Sequence, residues 1–154
     1  MEECNNKSVG MIVMDGENVL ILERKKFPPG FACPAGHVEP NETSIEAAAR
    51  ELYEEVGLTA KNLTIIYEGQ KNNPCRRKNG TFHNWTIFKV EASGKIKASI
   101  DETKGVTWMS KKELQELSMR TKLYNDGSID EKLWKESPGL EPVWDEFFKE
   151  LKIL

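Results

Sequence analysis

The chain has 154 residues, of which 38% are hydrophobic and 31% are charged. This composition excludes a disordered or fibrous protein, and the length predicts a single domain over residues 1–154. A net charge of −3, from 22 basic and 25 acidic residues, disfavours duplex nucleic acid as the main partner.

The cysteines and the apolar segments indicate the compartment. Cys4, Cys33 and Cys75 are odd in number and lack the spacing of metal ligands, so we expect three free thiols in a reducing cytoplasm. The N-terminal ten residues hold no apolar stretch, and no run approaches the roughly 18 apolar residues of a membrane span. We therefore expect a cytoplasmic protein with no membrane contact.

The first elements of the chain are predicted to be strands. Two apolar runs, residues 8–14 and 18–22, flank the turn signal Asp15-Gly16 and indicate a β-hairpin. A loop follows at residues 28–30, which read Pro-Pro-Gly. Residues 31–38 are predicted to be extended, but their internal proline and glycine argue against a regular central strand.

The segment from Thr43 to Gly57 carries the clearest helix pattern. Thr43 is suited to cap the helix start, and Glu46, three residues later, completes a capping box. Gly57 is suited to the left-handed conformation that ends a helix. These signals predict a helix between the two residues.

The second half of the chain alternates strands and helices irregularly. The pattern predicts strands at residues 63–67, 81–90 and 106–109, a helix from Ser110 to about residue 117, and a closing helix at residues 143–151. Residues 120–138 give no clear pattern. The order favours an α/β fold, with a mixed sheet packed by helices on both faces.

Three carboxylates share one face of the central helix. At about 100° per residue, Glu51, Glu54 and Glu55 fall on one arc, and Arg50 is expected to point elsewhere. The opposite stripe is predicted to be buried; it holds Ile45, Ala48, Ala49, Leu52 and Val56. Taken alone, the acidic face is either solvated or a site for a hard divalent cation such as Mg²⁺, which prefers carboxylate oxygens.

The wider segment decides between these alternatives. From Gly36 the sequence has five residues before Glu42, then seven more before Arg50-Glu51-Leu52-Tyr53-Glu54-Glu55-Val56-Gly57-Leu58. This segment resembles the signature of the Nudix hydrolases at every defining position. An accidental match is on the order of one in a million.

The resemblance implies a Nudix-type α/β/α sandwich with a metal site. By position, Glu54 and Glu55 would be metal ligands, and Glu51 would be either a ligand or the catalytic base. The backbone carbonyl of Ala35 often joins the metal shell in the family, and Glu102 fits a further acidic position on a later loop. The implied cofactor is Mg²⁺, with Mn²⁺ as an alternative.

Other motif positions are implied to be structural. Glu42 and Arg50 would orient the loop and the helix, whereas Gly36 and Gly57 would serve backbone geometry. Many family members carry glycine where this chain has Ala35. A carbonyl ligand survives that change, but the loop becomes stiffer.

The substrate contacts are predicted from residue type and position. Arg24 follows the second strand, ahead of the motif, and Arg76 lies in a polar loop; arginine pairs well with phosphate oxygens. Phe27, Phe31 and Trp85 are the aromatic candidates for stacking on a base. For the arginines the alternative role is that of a solvated loop charge. For the aromatic residues the alternative role is packing in the core.

The implied reaction is metal-dependent hydrolysis of a diphosphate bond in a nucleoside diphosphate linked to another moiety, such as ADP-ribose or a nucleotide sugar. Two alternatives remain open: a house-cleaning pyrophosphohydrolase of normal or oxidised nucleoside triphosphates, and a non-catalytic nucleotide-binding module. The acidity of the chain disfavours removal of RNA caps. The expected partner is a small nucleotide, bound by a monomer or a homodimer.

Overall fold

The computed structural model describes residues 2–154. Over this range the chain forms seven strands: β1 (Lys7–Asp15), β2 (Asn18–Arg24), β3 (Phe31–Ala32), β4 (Ala35–His37), β5 (Thr59–Lys71), β6 (His83–Ser93) and β7 (Thr103–Met109). It also forms four helices: α1 (Ser44–Val56), α2 (Lys111–Asn125), α3 (Glu131–Glu136) and α4 (Pro142–Glu150). No helix within these residues has the length and apolar character needed to cross a membrane.

The strands form one mixed sheet with β1 near its centre. The order is β3-β2-β1-β6-β5, while β7 pairs with β2 and β4 pairs with β1. Strands β1 and β6 run parallel, with Lys7 opposite Asn84, and the other pairs of the described chain are antiparallel. Strand β1 pairs with β2 only beside the hairpin turn and with β4 at its other end, where Ser8 lies opposite His37. Because β2 does not pair with the start of β1, β4 occupies the position beside it.

Alternating side chains divide the core into two layers, one on each face of the sheet. On β1, Val9, Met11 and Val13 point toward α1, whereas Ile12 belongs to the layer under α4. Strands β2 and β6 alternate in the same way, as the two-residue period of a strand requires. The aromatic residues of the second layer are Trp85, Trp144, Phe147 and Phe148. The predicted α/β/α sandwich over a mixed sheet is therefore confirmed.

Helix α1 has the predicted ends and a partly different buried face. Thr43 and Glu46 form the capping box, and Gly57 ends the helix with a φ of 77°. Ile45, however, is 54% exposed, and Ala47 is buried in its place. The prediction was therefore wrong for Ile45, and Ala49, which was also predicted to be buried, is only half-buried.

Other elements differ from the sequence prediction in extent. Residues 31–38 form two short strands separated at Cys33-Pro34, where the proline has no N–H for the sheet. Strand β5 runs over thirteen residues and β7 begins at Thr103, so both are longer than predicted. Helix α2 continues to Asn125, and α3 lies in the stretch that gave no clear pattern.

Candidate active site

A cavity of about 400 Å³ opens beside β4 and the N-terminal end of β1. The loop between β5 and β6 and the residues before β7 complete its walls. The charged residues that line it are the acids Glu39, Glu51, Glu54, Glu55, Asp101, Glu102 and Glu141, and the bases Arg24, Lys26, Arg50, Arg76 and Arg77. The predicted metal ligands and the predicted phosphate-binding arginines therefore line the same cavity.

The Glu51 carboxylate lies directly against the backbone of Gly36. A Cβ atom added at Gly36 would stand 2.1 Å from the Glu51 Cδ atom and 2.3 Å from its Oε1. Only glycine leaves room for this contact, which explains the first residue of the motif. Burial raises the pKa of Glu51 to about 7, and Glu54 and Glu102 act in the same direction, against the opposing effect of Arg50.

Glu55 is the most deeply buried of the three motif glutamates. It is 6% exposed, and its Oε1 accepts a hydrogen bond of 2.8 Å from the Ala35 backbone N–H. The expectation that all three carboxylates share a solvent-facing arc was therefore wrong for Glu55. Burial raises the pKa of this carboxyl well above its usual range, and the nearby Glu51 adds to the effect.

Arg50 connects the helix to the loop that precedes it. Its guanidinium donates to both carboxylate oxygens of Glu42, at 2.7 and 2.9 Å, and to the His37 carbonyl at 3.0 Å. It also contacts Glu51 at 2.9 Å and Glu54 at 3.2 Å. The prediction that Arg50 points away from the glutamates was wrong, because its guanidinium reaches both of these carboxylates.

The donor set fits a hard divalent cation. Glu51, Glu54 and Glu55 supply carboxylate oxygens from one helix, and Ala35 and Glu102 line the same cavity. Glu51 raises the pKa of Glu55, and Glu54 and Glu102 raise the pKa of Glu51, so the carboxylates of the cluster repel one another. Oxygen ligands of this kind are those that Mg²⁺ takes in proteins.

The predicted acid on the later loop lies at the cavity but is already paired. Glu102 immediately precedes β7 and accepts a 2.8 Å hydrogen bond from Lys26 Nζ. Both side chains remain more than a third exposed, so the pair is open to exchange with a ligand or a cation. Asp101, the neighbouring acid, lines the same wall.

The predicted substrate residues divide between the cavity and the core. Arg76 lines the cavity and takes part in no ion pair of the described chain, whereas Arg24 lines it while donating a 2.7 Å hydrogen bond to the Pro28 carbonyl. Trp85 is largely buried but also lines the cavity, and its indole N–H donates to Asn73 Oδ1 at 3.0 Å. Phe31 does not line the cavity, because its side chain packs against the layer under α4.

Of the two phenylalanine candidates, Phe27 and not Phe31 lies at the cavity wall, where it is half exposed. Two further cavity residues, Glu141 and Asn73, were not predicted from the sequence. Glu141 comes from the residue before α4 and lies buried, 3.5 Å from Arg24 Nε. Asn73 orients Trp85. Neither Glu141 nor Asn73 belongs to a sequence motif, so no signal in the sequence could have identified them.

Comparison with known proteins shows the family. The model of the NUDIX domain matches residues 5–127. The asymmetrical bis(5'-nucleosyl)-tetraphosphatase of Mus musculus is 33% identical over 109 residues, covering 68% of this chain and 74% of that protein. The NAD-capped RNA hydrolase NudC of Pseudomonas aeruginosa (strain LESB58) is 32% identical over 139 residues, covering 88% of this chain.

The chain spans only part of several relatives. It covers 47% of NudC and 22 to 31% of other curated relatives. Among solved structures, a NUDIX hydrolase from Nitrosomonas europaea superposes with a TM-score of 0.68 at 19% identity, covering 96% of this chain and 88% of that one. This last similarity concerns the fold.

Proposed function

The chain belongs to the Nudix hydrolase family, and on this premise we propose that it hydrolyses a diphosphate bond in a nucleoside diphosphate linked to another moiety, with Mg²⁺ as cofactor. The observation that carries the proposal is the arrangement around one cavity. Its walls bring the glutamates Glu51, Glu54 and Glu55 together with Arg24 and Arg76. Such a site offers both a cation site and donors for phosphate oxygens.

The motif glutamates would hold the cation. Glu54 and Glu55 are proposed as ligands from α1, with the Ala35 carbonyl and Glu102 at the same cavity. When bound, the cation neutralises phosphate oxygens and lowers the pKa of water. The Ala35 N–H fixes the orientation of Glu55, and Arg50 fixes that of Glu51.

Glu51 is the residue best placed to move a proton. It is held between Arg50 and the Gly36 backbone, with its carboxylate on the cavity wall. As a base it would take the proton of the attacking water. As a ligand it would instead raise the affinity for the cation. Measuring Mg²⁺ affinity and kcat for Glu51→Gln separates the two roles: a base variant loses kcat and keeps the affinity.

Arginines opposite the glutamates would bind the remaining phosphate charge. Arg76 is exposed and unpaired within the described chain, so it can turn toward a phosphate without breaking an ion pair. Arg24 is anchored by the Pro28 carbonyl and would act as a fixed donor. Phe27 at the same wall offers an exposed ring on which a base can stack.

The relatives support a substrate in which a nucleotide is joined through phosphates to a second group. Their names specify a dinucleoside tetraphosphate and NAD-capped RNA. Both substrates share that linkage with ADP-ribose and nucleotide sugars. We therefore include dinucleoside polyphosphates and NAD-capped RNA as second candidates, although the acidity of the chain had disfavoured RNA caps.

The proposal is tested by identifying products chromatographically. The full chain and Mg²⁺ are incubated with ADP-ribose, nucleotide sugars, dinucleoside polyphosphates, NAD-capped RNA, and normal and oxidised nucleoside triphosphates. Cleavage of one of the first four classes, lost when Mg²⁺ is omitted, is the expected result. Preference for triphosphates would favour the house-cleaning reaction, and cleavage of none would favour a binding module.

A matched pair of variants tests the metal assignment. Glu54→Gln removes one charge from an exposed side chain, so the fold should persist while most turnover is lost. Glu17→Gln makes the same change in the turn between β1 and β2, outside the cavity, and should leave turnover unchanged. Full Mg²⁺-dependent activity in Glu54→Gln would contradict the assignment.

A further inference from the structure

Two cysteines and both histidines of the chain meet at the edge of the cavity. Cys4 lies in the N-terminal segment, His37 ends β4, Cys75 lies in the loop between β5 and β6, and His83 begins β6. The ligand atoms of all four lie within 4.8 Å of one another. Four separate segments of the chain thus direct two sulfurs and two imidazole nitrogens to one point.

The distances match those of a tetrahedral zinc site. Bond lengths of about 2.3 Å to sulfur and about 2.0–2.1 Å to nitrogen place neighbouring ligand atoms roughly 3.3–3.8 Å apart. Cys4 Sγ lies 3.5 Å from His37 Nε2 and 3.3 Å from His83 Nε2. A set of two sulfur and two nitrogen ligands favours Zn²⁺ over Mg²⁺, which prefers oxygen.

The histidine rings are oriented for ligation. His83 Nδ1 donates to the Asn73 carbonyl at 3.0 Å, which leaves Nε2 with its lone pair toward Cys4. A backbone acceptor of this kind is the usual outer partner of a metal-bound histidine. The His37 ring likewise turns its Nε2 toward Cys4 Sγ, at 3.5 Å.

The sulfur atoms have equivalent backbone surroundings. Cys4 Sγ accepts the Asn6 N–H at 3.3 Å, and Cys75 Sγ accepts the Arg77 N–H at 3.4 Å. In both cases the donor lies two residues after the cysteine, and such bonds stabilise a thiolate. Gly80 makes room for the second sulfur, since a Cβ atom there would stand 2.2 Å from Cys75 Sγ.

Backbone hydrogen bonds already hold the two cysteine segments together. Cys4 N–H donates to the Lys78 carbonyl at 2.8 Å, and Lys78 N–H donates to the Glu2 carbonyl at 3.0 Å. Cys75 N–H donates to the Gly80 carbonyl at 2.8 Å. The ligands are therefore positioned by main-chain contacts, and their proximity does not depend on exposed side chains.

We propose that Cys4, His37, Cys75 and His83 bind one structural Zn²⁺ ion, separate from the cation of the proposed hydrolysis. The ion fastens the N-terminal segment and the loop between β5 and β6 onto β4 and β6. The same loop carries Arg76, which faces the cavity. Zinc binding therefore fixes one wall of the cavity while supplying no part of the reaction.

Metal analysis of the full chain tests the proposal. Protein purified with added Zn²⁺ and then desalted should retain one equivalent of zinc by plasma mass spectrometry. Loss of a group that only hydrogen-bonds to a metal ligand costs about 10–100-fold in metal affinity, so Cys4→Ser and Cys75→Ser, which remove a ligand itself, should each lose more than about 100-fold. Cys33→Ala removes the third thiol, which is buried elsewhere in the core, and should keep the zinc.

A second measurement covers the case in which a ligand variant does not fold. Co²⁺ added to the metal-free natural chain should give the intense thiolate charge-transfer band and the visible absorption of a tetrahedral site. Glu54→Gln should keep this spectrum while losing hydrolysis, which separates the two sites. The proposal is overturned by an absent thiolate band, by zinc retained in Cys4→Ser, or by a Cys4–Cys75 disulfide in the presence of reductant.

Discussion

Replacing Gly36 with alanine tests whether catalysis depends on where the Glu51 carboxylate lies. The added Cβ atom would stand 2.1 Å from Glu51 Cδ, whereas ordinary contact begins at 3.4 Å. The carboxyl group must therefore move by more than about 1 Å. The displaced atoms end a flexible side chain, so we expect the fold to persist and the site to be misaligned.

The size of the effect follows from that displacement. A misplacement of about 1 Å in a catalytic site costs on the order of 100-fold in rate. At about 1.36 kcal/mol per factor of ten, the barrier rises by about 2.7 kcal/mol. We expect kcat for Gly36→Ala to fall by roughly this 100-fold, measured with Mg²⁺ on the substrate that the natural chain cleaves best.

Gly105→Ala is the matched control for this experiment. Gly105 lies on β7, and a Cβ atom added there would meet nothing within 4 Å. Its kcat should equal that of the natural chain, and both variants should keep the natural circular dichroism spectrum. A folded Gly36→Ala enzyme with undiminished kcat would refute the reasoning, because Glu51 would then work equally well away from the glycine.

Three further predictions concern stability. Phe147→Ala should lower the free energy of unfolding in urea by about 3–5 kcal/mol, because the ring is fully buried. Thr43→Ala should cost about 1 kcal/mol in the same assay, through loss of the N-cap. Burial raises the pKa of Glu141 above its ordinary 4.5, although Arg24 opposes the shift. The folded state therefore favours the protonated carboxyl, and the stability that Glu141 contributes is lost as the pH rises. The melting temperature of Glu141→Gln, relative to the natural chain, should therefore increase as the pH rises above the ordinary 4.5; an unchanged difference would contradict it.

Local signals made the central helix predictable. The Thr43 capping box and the left-handed Gly57 depend on residues within one or two turns of each helix end, and both were confirmed. The burial of Glu55 was not predictable from the helix alone. It depends on the packing of β4 beside α1, which brings the Ala35 N–H within hydrogen-bond distance of the Glu55 carboxylate.

The candidate site was predictable where the motif fixed it. The spacing of the motif identified the glutamates that the structure gathers at the cavity. The cluster of two cysteines and two histidines was hidden, because its members lie in four segments that only the sheet brings together. Phe27 and Phe31 could not be distinguished either, since the direction of a ring in a loop depends on tertiary packing.

Because β1 pairs in parallel with β6, the first half of the chain cannot complete its fold during synthesis until β6 has been made. Residues 7–13 pair with residues 84–90, and Phe88 and Val90 of β6 cover part of the apolar face of α1. Helix α1 leaves the ribosome well before β6 does, and contacts between distant segments form slowly. Part of the apolar face of α1 therefore stays uncovered until β6 emerges and pairs with β1.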